Sequence, residues 1–354
     1  MNILRRCGIL LLAATLTLCL AAQTSLPDYP DTLGVSAPFA GMVGDRLIVA
    51  GGCNFPDVPA ADGGTKAYRA DVYALAADGG QWERLADLPE ALAYGASVET
   101  EEGLLCLGGS NAGGTHTGVY HLTTDTDGRL HIDTLPSLPV PLDNGGAARI
   151  DHTVYVTGGN QGGRQGLYAL DLNTLTWRRL RDYPGEVRQQ PVVIAADGVL
   201  YLMGGYTYDA TARICHTAHR MLAYTPVTDR WHTVGHLPKE LDRCLVGAAG
   251  IAATDGSRLL VTGGVNGPLF RSAVEGHAPQ DYLRQPAPWY QFHHTLYVYD
   301  LHKKRWRSTV GPSTLARAGG LVVRRGDTLV MVCGEEKPGI RSPRLTAFPW
   351  PEEK

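Results

Sequence analysis

Leu47-Ile48-Val49-Ala50-Gly51-Gly52 decides the fold, because the same phrase returns along the chain. An apolar run ending in a glycine pair recurs at 104–109, 154–159, 200–205 and 259–264. A sixth copy, Leu329-Val330-Met331-Val332-Cys333-Gly334, has cysteine in place of the first glycine. Each copy follows another short apolar run, such as 248–252 or 320–323, and a polar turn such as Arg325-Gly326-Asp327. After each glycine pair come a variable loop and a third run, as at 71–75, 166–170, 221–224 and 296–299. A fourth run usually opens on tryptophan (Trp82, Trp177, Trp231, Trp306), whereas the second copy has His131-Ile132-Asp133-Thr134-Leu135.

Short strands in groups of four, with Gly-Gly and Trp landmarks, describe the blades of a kelch-type propeller. Residues 23–354 over six copies give roughly 55 residues per blade, near the kelch period. The expectation is an all-β, six-bladed kelch-type β-propeller, a single domain over 23–354. Ring closure is legible too. Fourth runs end in phrases such as Leu85-Ala86-Asp87-Leu88-Pro89, and Leu26-Pro27-Asp28-Tyr29-Pro30 has that ending without three strands before it. The sixth copy stops after its third run, 344–348. Residues near Thr24 to Asp28 are therefore expected to supply the outer strand of the last blade and cover its open edge.

Residues 1–22 read as a cleavable signal peptide: Arg5 and Arg6, an apolar run over 9–20, then Ala21-Ala22. The run is short for a membrane span, and Leu18 disfavours lipid attachment at Cys19. An uncleaved anchor is the alternative. A periplasmic or secreted protein is expected, with no membrane insertion after cleavage. A formal charge of −3 gives no electrostatic case for nucleic acid. Past the leader, Cys53, Cys106, Cys215, Cys244 and Cys333 form no paired framework. Cys106 and Cys333 sit in apolar runs as buried thiols, and a Cys215–Cys244 bridge is conceivable.

In a propeller the loops after the second strands open onto one face. Here they carry Asn54, Asn111, Asn160 and Asn266 just past the glycine pairs. Asn tolerates left-handed turns, which explains any one of them; together they would ring a face with amides suited to a sugar. The loop from Gly264 to His294 is much longer and aromatic, as expected of a functional loop such as a lid, or of packing on a neighbouring blade. The histidines at 216, 219, 293 and 294 lack a third metal ligand at persuasive spacing. The glycine pairs end strands with no helix expected after them, so they make no phosphate loop. No Gly-x-Ser-x-Gly elbow occurs.

Gly334-Glu335-Glu336-Lys337-Pro338-Gly339-Ile340-Arg341 resembles the Gly-Glu-x-Lys-Pro-Gly-x-Arg signature of the sialate mutarotase family, the N-acetylneuraminate epimerases, and its cyclically permuted relatives. Ala50–Phe55 with Lys66-Ala67-Tyr68 and Asp71, Ala93-Tyr94-Gly95, Arg188-Gln189-Gln190 and 261–266 are similar to further family loops. The order is rotated, since the signature lies mid-chain in unpermuted members. Leu92 stands where the family often has arginine, and Glu336 takes the signature's variable place.

The resemblance implies a cofactor-independent isomerase acting on a sugar acid. Opening the hemiketal of a sialic acid needs one proton delivered to the ring oxygen and one removed from the anomeric hydroxyl. A carboxylate raised toward neutrality by burial can do this, and the role falls to Glu335. Arg341 would clamp the substrate carboxylate with its planar fork. Asn54, Asn111, Asn160, Asn266, Tyr68 and Arg188 would bind the rest of the sugar. Without turnover, Glu335 and Arg341 form a loop salt bridge and the chain is a carbohydrate- or protein-binding propeller. A copper radical oxidase would need a Tyr and His set that cannot be assembled. The sequence leaves the oligomeric state open.

Overall fold

The computed structural model describes residues 26–352, apart from Ala77, Asp242 and Arg243. Six sheets follow one another along the chain, five of four antiparallel strands and the last of three among the described residues. In the first blade Phe39–Val43, Arg46–Ala50, Asp71–Leu75 and Trp82–Asp87 pair in chain order. The last blade comprises Leu321–Arg325, Thr328–Val332 and Leu345–Pro349. The chain is a six-bladed β-propeller.

Alternation along the strands makes each blade apolar on both faces, so the core is divided among the seams between neighbours. Phe39, Ile48 and Val72 of the first blade meet Leu104, Cys106 and Leu122 of the second. An equivalent apolar layer fills each following seam. The seam between last and first blades is packed in the same way, by Val323, Val330 and Val332 against Leu47, Val49 and Leu75. Ring closure is thus a hydrophobic contact first.

The glycine pairs are explained at these seams. The amide of the second glycine donates to the next blade: Gly52 to Leu92 O (2.8 Å), Gly109 to Leu142 O (2.7 Å), Gly159 to Arg188 O (2.7 Å) and Gly264 to Arg317 O (2.8 Å). Gly334 closes the circle by donating to Val35 O (2.9 Å). The first residue of each pair is left-handed, and a Cβ on Gly51 would stand 2.4 Å from Leu92 O. Cys333 keeps that left-handed turn (φ 51°) with a side chain, at a cost of about 1–3 kcal/mol.

Of the expected closing strand, Thr24 lies outside the described residues, and Leu26–Asp28 are not in a strand. The ending that follows does occupy the expected place. Trp177, Trp231 and Trp306 each donate their indole N–H to the end of the preceding blade, at Pro136, Arg181 and His236. Trp82 donates to Pro27 O (3.2 Å), and Tyr29 N donates to Pro343 O (2.7 Å).

Two expectations are corrected. A helix does follow one glycine pair: Gly267–Val274, whose first turn Asn266 caps by accepting the Leu269 amide (3.1 Å). Asn-Gly-Pro at 266–268 supplies a capping side chain and a proline suited to the first turn. Cys215 and Cys244 are both buried and are not joined by a disulfide, so the conceivable bridge is not formed. The leader expected over 1–22 lies outside the described residues, among which no helix is long and apolar enough to cross a membrane.

Candidate active site

Where each blade begins, its chain comes close to the propeller axis. The residues there are Ala37, Tyr94, Asn144, Gln190, Gly247 and Gly319, and all six are left-handed, with φ between 50° and 66°. Their backbones are linked around the axis. Tyr94 N donates to Ala37 O (3.0 Å), Asn144 N to Tyr94 O (2.8 Å) and Gln190 N to Asn144 O (2.7 Å). Gly319 N donates to Gly247 O (2.9 Å), and Ala37 N to Gly319 O (2.7 Å). The collar lines a central cavity of about 820 Å³, large enough for a sugar acid. Polar side chains occupy one arc, Tyr94, Asn144 and Gln190. Ala37, Gly247 and Gly319 leave the other arc open.

Glu335 stands over the open arc. It pairs through its backbone with Ala318, one residue before Gly319, in both directions (2.7 and 3.0 Å). The signature 334–341 is a hairpin, Glu335–Lys337 against Ile340–Arg341, with Glu335 directly opposite Arg341. Arg341 Nη1 lies 2.5 Å from Glu335 Oε1, with 3 % of the arginine side chain and 22 % of the glutamate side chain exposed. Burial pushes the Glu335 carboxyl above its ordinary range, and Arg341 and Lys66 partly offset that rise. The loop salt bridge weighed above is therefore present, and the carboxylate beside it faces the cavity.

Arg341 is turned into the protein. Its Nε donates to Cys53 O (3.3 Å), and its guanidinium lies 4.9 Å from the centre of the Phe55 ring. Nη1 touches Glu335 without making a hydrogen bond. A bidentate grip on a ligand would require this pair to open.

Of the other expected residues, Asn266 lines the cavity while capping the helix. Asn54 is 1 % exposed and donates to Asp31 (2.8 Å) and Gly34 O (2.9 Å), so it ties its loop to the segment leading into the first blade. Asn111 donates to Ala91 O and accepts from the Gly113 amide, as a turn residue does. Asn160 ends its strand opposite Asp143, half-buried. Tyr68 pairs with Cys53 in a two-strand ladder and is not among the residues lining the cavity. Arg188 points into its blade, donating to Arg220 O (3.0 Å) against the Tyr183 ring. Its counterparts two positions before the collar are Val35, Leu92, Leu142, Leu245 and Arg317, all buried. That comparison, available in the repeat itself, marks the position as interior and Gln190 as the cavity residue.

Several cavity groups escaped sequence reasoning. Gln190 donates to Asn144 Oδ1 (3.1 Å), Asn144 to Asp143 Oδ1 (3.1 Å) and Thr115 to Asp143 Oδ2 (2.8 Å), a polar chain running back from the cavity-lining Gln190 and Asn144. The long loop, by contrast, is expected from the sequence to be functional or to pack on a neighbour, and it lines the cavity with Leu269, Phe270, Tyr282, Tyr290 and Phe292. It is fixed to its neighbours by Phe270 against Tyr206 (4.9 Å), Arg284 on Asp62 (2.7 Å) and Lys337 on Gln285 O (2.6 Å). Among the described residues no group of three or more His, Cys, Asp or Glu side chains is arranged to hold a metal.

Comparison with known proteins gives a consistent picture. A family described as N-acetylneuraminate epimerase matches residues 20–132 and 135–350. An N-acetylneuraminate epimerase of Haemophilus influenzae is 33 % identical over 228 residues, 60 % of this chain and 58 % of that protein. One from Yersinia enterocolitica is 30 % identical over 230 residues, 60 % of this chain and 56 % of its own length. The chain thus covers less than three fifths of these two relatives.

Proposed function

The chain belongs to the N-acetylneuraminate epimerase family, and we propose that it is a sialic acid mutarotase, interconverting the α and β anomers of N-acetylneuraminate without a cofactor. The observation that carries the proposal is Glu335, a carboxylate raised by burial on the wall of a sugar-sized cavity. A carboxyl raised above its ordinary range is a stronger base once ionised, as removing the anomeric hydroxyl proton requires. The anomeric hydroxyl loses its proton, the bond from the anomeric carbon to the ring oxygen breaks, and the ring oxygen is protonated. Rotation and reclosure of the open-chain ketone on its other face return both protons and give the other anomer.

Arg341 holds Glu335 in place and keeps its pKa from rising further. The amides of Asn144, Gln190 and Asn266 offer partners for hydroxyls and the N-acetyl group. The leader over 1–22 supports a periplasmic or secreted site of action.

The test is proton NMR of α-N-acetylneuraminate freshly released by a sialidase, followed to anomeric equilibrium with and without the protein. Catalytic acceleration is expected. Saturable binding without acceleration would make the chain a carbohydrate-binding propeller instead.

A further inference from the structure

Mutarotation needs two proton transfers at two oxygens, and Glu335 is one group. We propose that Tyr94, held by Lys66, is the second catalytic residue: its hydroxyl gives a proton to the ring oxygen while Glu335 takes the one from the anomeric hydroxyl. The proposal rests on the mutarotase reading and deepens it.

Among the six collar positions, Tyr94 alone carries a titratable side chain. It lines the same cavity as Glu335. Its backbone is left-handed at φ 64°, which costs a bulky residue about 1–3 kcal/mol and which Gly247 and Gly319 adopt freely. A large side chain kept in that strain is one the site uses.

The hydroxyl has a built environment. Lys66 Nζ donates to it (2.8 Å) and lies 4.7 Å from the ring centre. The Cys53 thiol is 3.3 Å away and 4.0 Å from Arg341 Nη2, which links Tyr94 to the Arg341–Glu335 pair. Burial raises the phenol, and the nearby Cys53 and Glu335 add to that while Arg341 opposes it, so the proton is present at neutral pH. As the proton leaves, the charge growing on the phenol oxygen meets the Lys66 ammonium. The phenolate then recovers its proton when the ring recloses, and Glu335 returns the other.

The same NMR assay tests this with Tyr94→Phe, Lys66→Gln and Lys66→Arg, each checked for wild-type folding by thermal unfolding. Tyr94→Phe is expected to lower kcat by about 100-fold or more with KM within about threefold. Lys66→Gln should lower kcat by about 10-fold, with partial recovery in Lys66→Arg. A kcat within about threefold of wild type in Tyr94→Phe, or a loss confined to KM, would overturn the proposal and leave Tyr94 a binding or structural residue. Should Tyr94→Phe fail to fold, Lys66→Gln decides on the same kcat criterion. An inactive wild type is a separate result and would sink the mutarotase reading itself.

Discussion

Glu335 and Arg341 face one another across a two-strand ladder, with Oε1 and Nη1 2.5 Å apart and the arginine almost wholly buried. Removing one partner of a buried pair leaves the other uncompensated. Arg341→Met is expected to destabilise the fold by about 3 kcal/mol in urea unfolding, and to reduce kcat/KM at neutral pH.

The pH dependence follows from the direction of the Glu335 shift. Burial raises its pKa above the ordinary 4.5, while Arg341 and then Lys66 hold it down. The carboxylate needed as base exists only above the raised value, so the acid limb of activity should lie above pH 4.5. Lys66→Gln should move that limb to higher pH, as should Arg341→Met. A limb that stays put in both variants would contradict the assignment.

The same shift has a sign in stability. A folded pKa above the unfolded one means that ionising Glu335 weakens the fold. That loss is absent below 4.5 and complete above the raised value. Glu335→Gln should therefore flatten the stability profile across that window, measured as urea midpoints against pH.

Ring closure has its own anchor. Tyr29 is 3 % exposed, with edge contacts to Tyr73 (5.3 Å) and Trp82 (5.7 Å) in the seam of the last and first blades. Tyr29→Ala opens a cavity at this seam and should cost about 3–5 kcal/mol. Calorimetry should show a lower melting temperature.

The long loop is pinned by two cationic side chains, Arg284 on Asp62 and Lys337 on the carbonyls of Leu283 and Gln285. The Arg284–Asp62 pair is exposed and contributes about 0–1 kcal/mol. Replacing both anchors, as Arg284→Ala with Lys337→Met, should speed protease nicking within 275–292 with little change in global melting.

Much of this architecture can be read from the sequence because it repeats. Glycine pairs, tryptophans and leucine-proline endings each mark a seam contact that a blade needs, so six copies announce six blades. Glu335 and Asn266 also stand on the cavity, as their loops suggested. The asparagines after the glycine pairs carry less information. Past each pair the chain leaves the axis, and the amides are spent elsewhere, Asn54 on Asp31 and Gly34 O and Asn111 on Ala91 O and the Gly113 amide. The collar was hidden for a different reason. Which of Arg188, Gln189 and Gln190 faces the cavity depends on one left-handed residue per blade, and no motif advertises it. Aligning the six copies at that point separates the interior positions Val35, Leu92, Leu142 and Leu245 from the collar, and would have moved Arg188 to the interior set.

The most direct measurement is the rate at which freshly released α-N-acetylneuraminate reaches anomeric equilibrium, compared by proton NMR between wild type and Glu335→Gln at equal concentration of folded protein. The account predicts clear acceleration by wild type and a loss of about 100-fold or more in the variant. Acceleration of equal size in both would move the proton transfer away from Glu335 and contradict the central claim.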